Sequence, residues 1–140
     1  MTTAMESMQG VVDDFEKDSS KENKGVQMTY RNHRYLVARA HRNNVGFLKL
    51  METEMRPYQW AIDRGNFAAI KGVALEIMYG VYAKTILLGV EKLDGTKLAY
   101  TPEAGVELFK RLPDLWDAVQ QFAQNEMNYS PEQVEADSKN

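Results

Sequence analysis

A chain of 140 residues with 44% hydrophobic and 26% charged side chains has the length and balance of one globular domain. Its formal net charge of −3 gives no basis for bulk attraction to nucleic acid or anionic membranes, and the absence of cysteine excludes a disulfide framework or a thiolate metal site. No apolar run approaches the roughly 20 residues of a membrane span, and the start, MTTAMESMQGVVDDFEKD, lacks the basic and apolar regions of a signal peptide, so a cytosolic protein is expected.

Residues 1–25 are polar and acidic, with Asp13, Asp14, Glu16, Asp18 and Glu22 outnumbering Lys17, Lys21 and Lys24. The stretch SSKENKG carries too little apolar surface to offset its ordering entropy. Met8, Val11, Val12 and Phe15 fall at i, i+3, i+4 and i+7, the spacing of a short partner-docking helix. The composition favours instead a flexible acidic arm over 1–25, followed by one globular domain over 26–128. Eight methionines supply either ordinary core filling or an adaptable apolar surface.

In VQMTYRNHRYLVARAHRNN, Val26, Met28 and Tyr30 alternate with polar residues, as do Tyr35, Val37 and, loosely, Arg39. Two such runs around Arg31-Asn32-His33 predict a β-hairpin with a polar turn. Arg31, Arg34, Arg39 and Arg42 form the one basic cluster. Interleaved with Tyr30 and Tyr35, it suits either a nucleic acid or, in an acidic chain, a solvated strand face paired with carboxylates. His33 and His41, eight apart, have no third ligand spaced to complete a metal site, and no nucleophile elbow, phosphate-binding glycine loop or paired-carboxylate pattern occurs. Neither a metal nor a cofactor is expected.

From Asn44 the period becomes helical. Phe47, Leu48, Met51, Met55, Tyr58 and Ile62 predict a helix over about 43–63 that starts on an asparagine cap, with a kink or break near Arg56 imposed by Pro57 and a stop at Gly65-Asn66. A second helix is predicted over 67–89, with Phe67, Ile70, Ala74, Ile77, Val81 and Leu88 on one face, Val73, Met78 and Tyr82 beside them, and Lys71, Glu76 and Lys84 left to water. So wide an apolar stripe must be buried, and residues 102–127 are the nearest cover. Gly72 and Gly80 inside this helix imply close helix approach or a bend.

Residues 90–101 form a connection turning at Asp94-Gly95. Thr101 reads as an N-cap with Pro102 first in the helix, and Val106, Phe109 and Leu112 as its buried stripe. Pro113 forces a stop and restart, after which Leu115, Trp116, Val119, Phe122, Ala123 and Met127 define a last helix. A disordered polar tail is expected over 129–140. The fold class is α+β, mostly α-helical: a short N-terminal β-hairpin followed by a bundle of about four helices.

Four stretches taken together resemble the tail assembly chaperones of long-tailed (siphovirus-type) bacteriophages. Val37-Ala38-Arg39 with Asn44 and Phe47 is similar to that family's strand ending, and Arg56-Pro57-Tyr58 with Ile62-Asp63-Arg64-Gly65 to its middle segment. The most specific stretch holds Ala83, Leu87-Leu88-Gly89, Asp94-Gly95, Tyr100-Thr101-Pro102-Glu103 and Leu108; Leu112-Pro113-Asp114-Leu115 matches the terminal helix. The pattern departs at Val90, where the family commonly carries Trp.

The resemblance, which spans about 26–127, implies a non-catalytic protein that coats the helical tape measure protein and helps recruit tail tube subunits. It implies a place in the host cytoplasm and absence from the mature virion. Self-association is open, and neither nucleic acid nor membrane is an expected partner. Met51, Met55, Tyr58, Trp60 and Ile62 are the candidate partner-binding residues, each with the alternative of a core role. Family members are often made in two lengths by frameshifting; the closing Ser138-Lys139-Asn140, if encoded TCA-AAA-AAC, would contain a slippery heptamer. The competing readings are a structural virion component of the head–tail connector kind and a small nucleic-acid-binding regulator using the arginine cluster.

Overall fold

Val26 and Met28 are buried while Gln27 and Thr29 face solvent, which is the period-2 pattern of a strand with one covered face. In the computed structural model, which describes residues 3–15 and 24–130, strand β1 (Val26–Tyr30) pairs antiparallel with β2 (His33–Val37) from Val26↔Val37 to Tyr30↔His33. The turn is two residues long, Arg31 and Asn32, both at positive φ (42° and 68°), as the twist-matched hairpin turn requires. His33, expected in the turn, is the first residue of β2. The Arg31 guanidinium lies 5.4 Å from the centroid of the Tyr30 ring.

After Ala38–Ala40 the chain enters helix α3 (Val45–Met55), capped as expected by Asn44. The Asn44 side chain accepts from the Phe47 N–H at 3.2 Å and donates to the Arg39 carbonyl at 3.0 Å, so one buried amide ties the hairpin's exit to the helix start. Pro57 breaks the helix where the sequence places the break: a 3-10 turn over Arg56–Tyr58 separates α3 from the short α4 (Gln59–Asp63), and Gly65 at φ 68° ends the run.

The second long helix is shorter than its apolar period. A 3-10 turn over Phe67–Ile70 leads into α5 (Lys71–Thr85), and Leu87–Lys92 is strand β3, antiparallel to β2 with an irregularity at Leu36/Val37. The expected helix over 86–89 is therefore a third strand, and Leu88 does not extend the helical stripe. Ile86 and Leu87 are fully buried, and the run ILLGV is as consistent with a covered strand as with a helix. Pairing with the open edge of β2 turns a marginal two-stranded hairpin into a three-stranded sheet, a tertiary gain that outweighs local helical period. Gly72 and Gly80 have open space where a Cβ would stand, so close helix approach does not account for them.

Beyond β3, Asp94 accepts from the Thr96 N–H at 2.9 Å and Gly95 sits at φ 91°, turning Lys97 back to bridge Glu91. Thr101 caps α6 (Pro102–Arg111) through the Ala104 N–H at 3.2 Å, and Pro113 restarts the chain as α7 (Pro113–Gln124), both as expected. The helices pack on one face of the sheet around Trp116, whose ring lies 4.9 Å from each of Tyr79, Tyr82 and Phe109; Met28, Val37, Leu87, Leu115 and Val119 complete this core. The cover predicted for α5 is real, since α6 packs along it and Lys110 pairs with Glu76 at 3.0 Å.

The C-terminal end differs from the sequence reading. Tyr129, assigned there to the tail, is fully buried at the end of a 3-10 turn (Glu126–Tyr129), and its hydroxyl donates to the Val37 carbonyl at 3.1 Å. Met127, assigned to the last helix, is exposed in that turn. Residues Ala4–Ser7 and Gln9–Phe15 form the short helices α1 and α2, and Met5, Met8, Val11 and Val12 on them are exposed. Of the expected flexible arm over 1–25, residues 1–2 and 16–23 lie outside the described residues, as do residues 131–140 of the expected tail.

Candidate partner-binding surface

Helix α3 is apolar on more than the face it buries. Phe47 and Leu50 turn inward, with Phe47 edge-on to Tyr82 at 5.8 Å, whereas Val45 and Leu48 remain exposed. Met51 and Met55, one turn apart, are half-buried and line an open depression of about 460 Å³ with Glu52, Arg56 and Gln59. Two thioethers among charged and amide side chains give this depression a lining that is flexible and polarizable.

The other candidates stand beyond that depression. Tyr58 is half-buried in the 3-10 turn. In α4, Ala61 is fully buried and its neighbours Trp60 and Ile62 are turned out, 48% and 37% exposed. The structure thus brings Met51 and Met55 together and leaves Trp60 and Ile62 exposed on opposite flanks of Ala61 in the next element. It also adds members that the helical period assigned to the core: Phe67 is 53% exposed and Val73 40%. Consecutive apolar residues such as Val73-Ala74-Leu75 put apolar groups on several faces of one helix, of which α6 and α3 cover only part. Exposed apolar side chains are ordinary when scattered and mark a contact surface where they are contiguous.

The arginine cluster is divided by the fold. Arg31 points to Asp114 at 4.0 Å, on the rim of a depression of about 370 Å³ that also includes Tyr30, Tyr35, Arg111 and Pro113. Arg34 lies on the outer sheet face, 3.7 Å from Glu91, which also accepts from Gln27 at 2.9 Å. Arg39 is buried and Arg42 exposed. The pairing with carboxylates expected of a solvated strand face holds for Arg31 and Arg34. Among the described residues no three histidine or acidic side chains are grouped as a metal site, and no helix is long and apolar enough to cross a membrane.

A three-stranded sheet backed by helices, with apolar side chains left uncovered on α3, α4 and α5, defines a small α+β protein. The family model of the YdaY prophage protein matches residues 42–140, and the chain belongs to that family, which makes it phage-derived. The matched segment begins after β2 and includes every candidate contact residue. No curated protein and no solved structure matches the chain.

Proposed function

We propose that this prophage protein is a tail assembly chaperone: it binds the tape measure protein in the host cytoplasm, helps recruit tail tube subunits, and performs no chemistry of its own. The observation that carries the reading is the set of uncovered apolar side chains on α3 and α4, with Met51 and Met55 in a depression and Trp60 and Ile62 exposed on the following helix. A tape measure is long and helical, and its apolar stripe aggregates unless it is covered. A groove of methionines and aromatic side chains takes such a helix through anchors at i, i+3 and i+4. Phage origin and the resemblance of four ordered stretches to tail assembly chaperones support the same reading.

The test is capture of tape measure fragments by the full chain and by a Met55→Glu/Tyr58→Glu variant whose fold is verified by circular dichroism. At least tenfold weaker capture by the variant is expected; undiminished capture overturns the assignment. Mass spectrometry of purified particles separates this role from that of a head–tail connector, because a chaperone is missing from the finished virion and a connector is stoichiometric.

A further inference from the structure

Strand β1 is the edge of the sheet, and among the described residues nothing pairs with its outer side. The two-residue turn makes Tyr30 and His33 the closing hydrogen-bonded pair, so alternation along the ladder points the backbone groups of Gln27 and Thr29 away from β2. Soluble proteins blunt such an edge with charge, proline or a bulge. Val26-Gln27-Met28-Thr29-Tyr30 has none of these, and the sheet's irregularity lies on the other side of β2.

We infer that the occupant of this edge is a second copy of the chain, joined antiparallel about Met28 into a six-stranded sheet. The strand is self-complementary in that register. Gln27 of each copy meets Thr29 of the other, exchanging the four outward backbone hydrogen bonds. Val26 meets Tyr30 on the covered face, a β-branched–aromatic pair, and Met28 meets Met28. No charge opposes a like charge.

Strand β1 carries no charged side chain, so nothing within the paired segment repels a second copy. In this register the hairpin turn of each copy lies beside Gly25 of the other, which has no side chain to obstruct the pairing. This interface uses strand β1 and its turn, outside the segment matched to the prophage family, and does not rest on the chaperone reading.

The test uses the full chain at low salt. Sedimentation should give a dimer, and Gln27→Lys/Thr29→Lys, which sets two pairs of lysines against each other at exposed positions, should weaken association at least tenfold with an unchanged circular dichroism spectrum. Because the chain has no cysteine, register is read directly: Gln27→Cys protein mixed with Thr29→Cys protein should crosslink on mild oxidation in far higher yield than either alone. A wild-type chain that is monomeric, a dimer unaffected by the lysines, or crosslinking without the mixed preference would each overturn the inference.

Discussion

The Tyr100 hydroxyl donates to the Ala83 carbonyl at 2.6 Å, directly above Gly105. Ala83 is in the last turn of α5, where carbonyls have no partner within the helix, so a tyrosine from the loop after β3 satisfies a group the fold would otherwise leave unpaired. Gly105 makes the approach of α6 possible, since a Cβ there would press on both the Tyr100 hydroxyl and the Ala83 methyl group. Gly105→Ala is therefore expected to destabilise the protein by about 2 kcal/mol, the overpacking penalty exceeding the gain in helix propensity. The urea midpoint measures it; an unchanged or raised midpoint would mean that the loop yields without loss.

Burial raises the pKa of Tyr100 above the ordinary phenol value, with Glu103 adding to the effect; burial is also the main cause of the upward shifts at Tyr82 and Tyr35. A raised folded-state pKa means that the unfolded chain releases its protons first as pH rises. The stability these groups contribute is complete below about pH 10, the value of an unfolded tyrosine, and is lost above it. Urea midpoints measured between pH 8 and 11 should be flat up to about 10 and fall beyond. Tyr100→Phe should lower the midpoint at pH 8 by about 1–2 kcal/mol equivalent and shrink the alkaline fall, because one shifted phenol and its hydrogen bond are gone.

Asn44 makes two demands on its side chain, as acceptor for the Phe47 N–H and as donor to the Arg39 carbonyl. Asn44→Ala removes both in a buried setting and is expected to reduce stability by about 2 kcal/mol, against about 1 kcal/mol for Thr101→Ala, whose cap is exposed. Asn44→Asp keeps the acceptor and loses the donor, so it should fall between wild type and Asn44→Ala. Thermal unfolding of the four proteins gives the order, and an Asp variant as unstable as Ala would show that the Arg39 contact dominates.

Those caps show which part of the fold is legible in one sequence. Asn44, Pro57, Thr101-Pro102 and Pro113 act on the backbone within a turn of themselves, and each does in the structure what its local chemistry requires. The hairpin is likewise local. Strand β3 is not, because whether Leu87–Lys92 continues a helix or joins a sheet is decided by β2, some fifty residues earlier in the chain. Tyr129 escapes for the same reason: a tyrosine in a polar stretch becomes core through partners it meets in the fold, the Val37 carbonyl among them. The exposure of Trp60, Ile62, Phe67 and Val73 was not legible, because apolar residues on several faces of one helix do not say which face the rest of the chain covers.

The two tryptophans separate contact from core. Trp116 is 7% exposed at the centre of the aromatic cluster, whereas Trp60 is 48% exposed on α4. Trp116→Ala should cost about 3–5 kcal/mol, with a cavity among Tyr79, Tyr82 and Phe109, and leave a marginally stable or unfolded chain. Trp60→Ala should leave stability within about 0.5 kcal/mol of wild type. If Trp60 is a binding anchor on the proposed surface, its loss weakens the complex by about 2 kcal/mol, roughly thirtyfold. Acrylamide should quench Trp60 readily in the free protein and Trp116 hardly at all. Addition of a tape measure fragment should protect Trp60 and shift its emission to the blue. Quenching that is unchanged at saturating fragment, with binding confirmed independently, would move the contact surface away from α4.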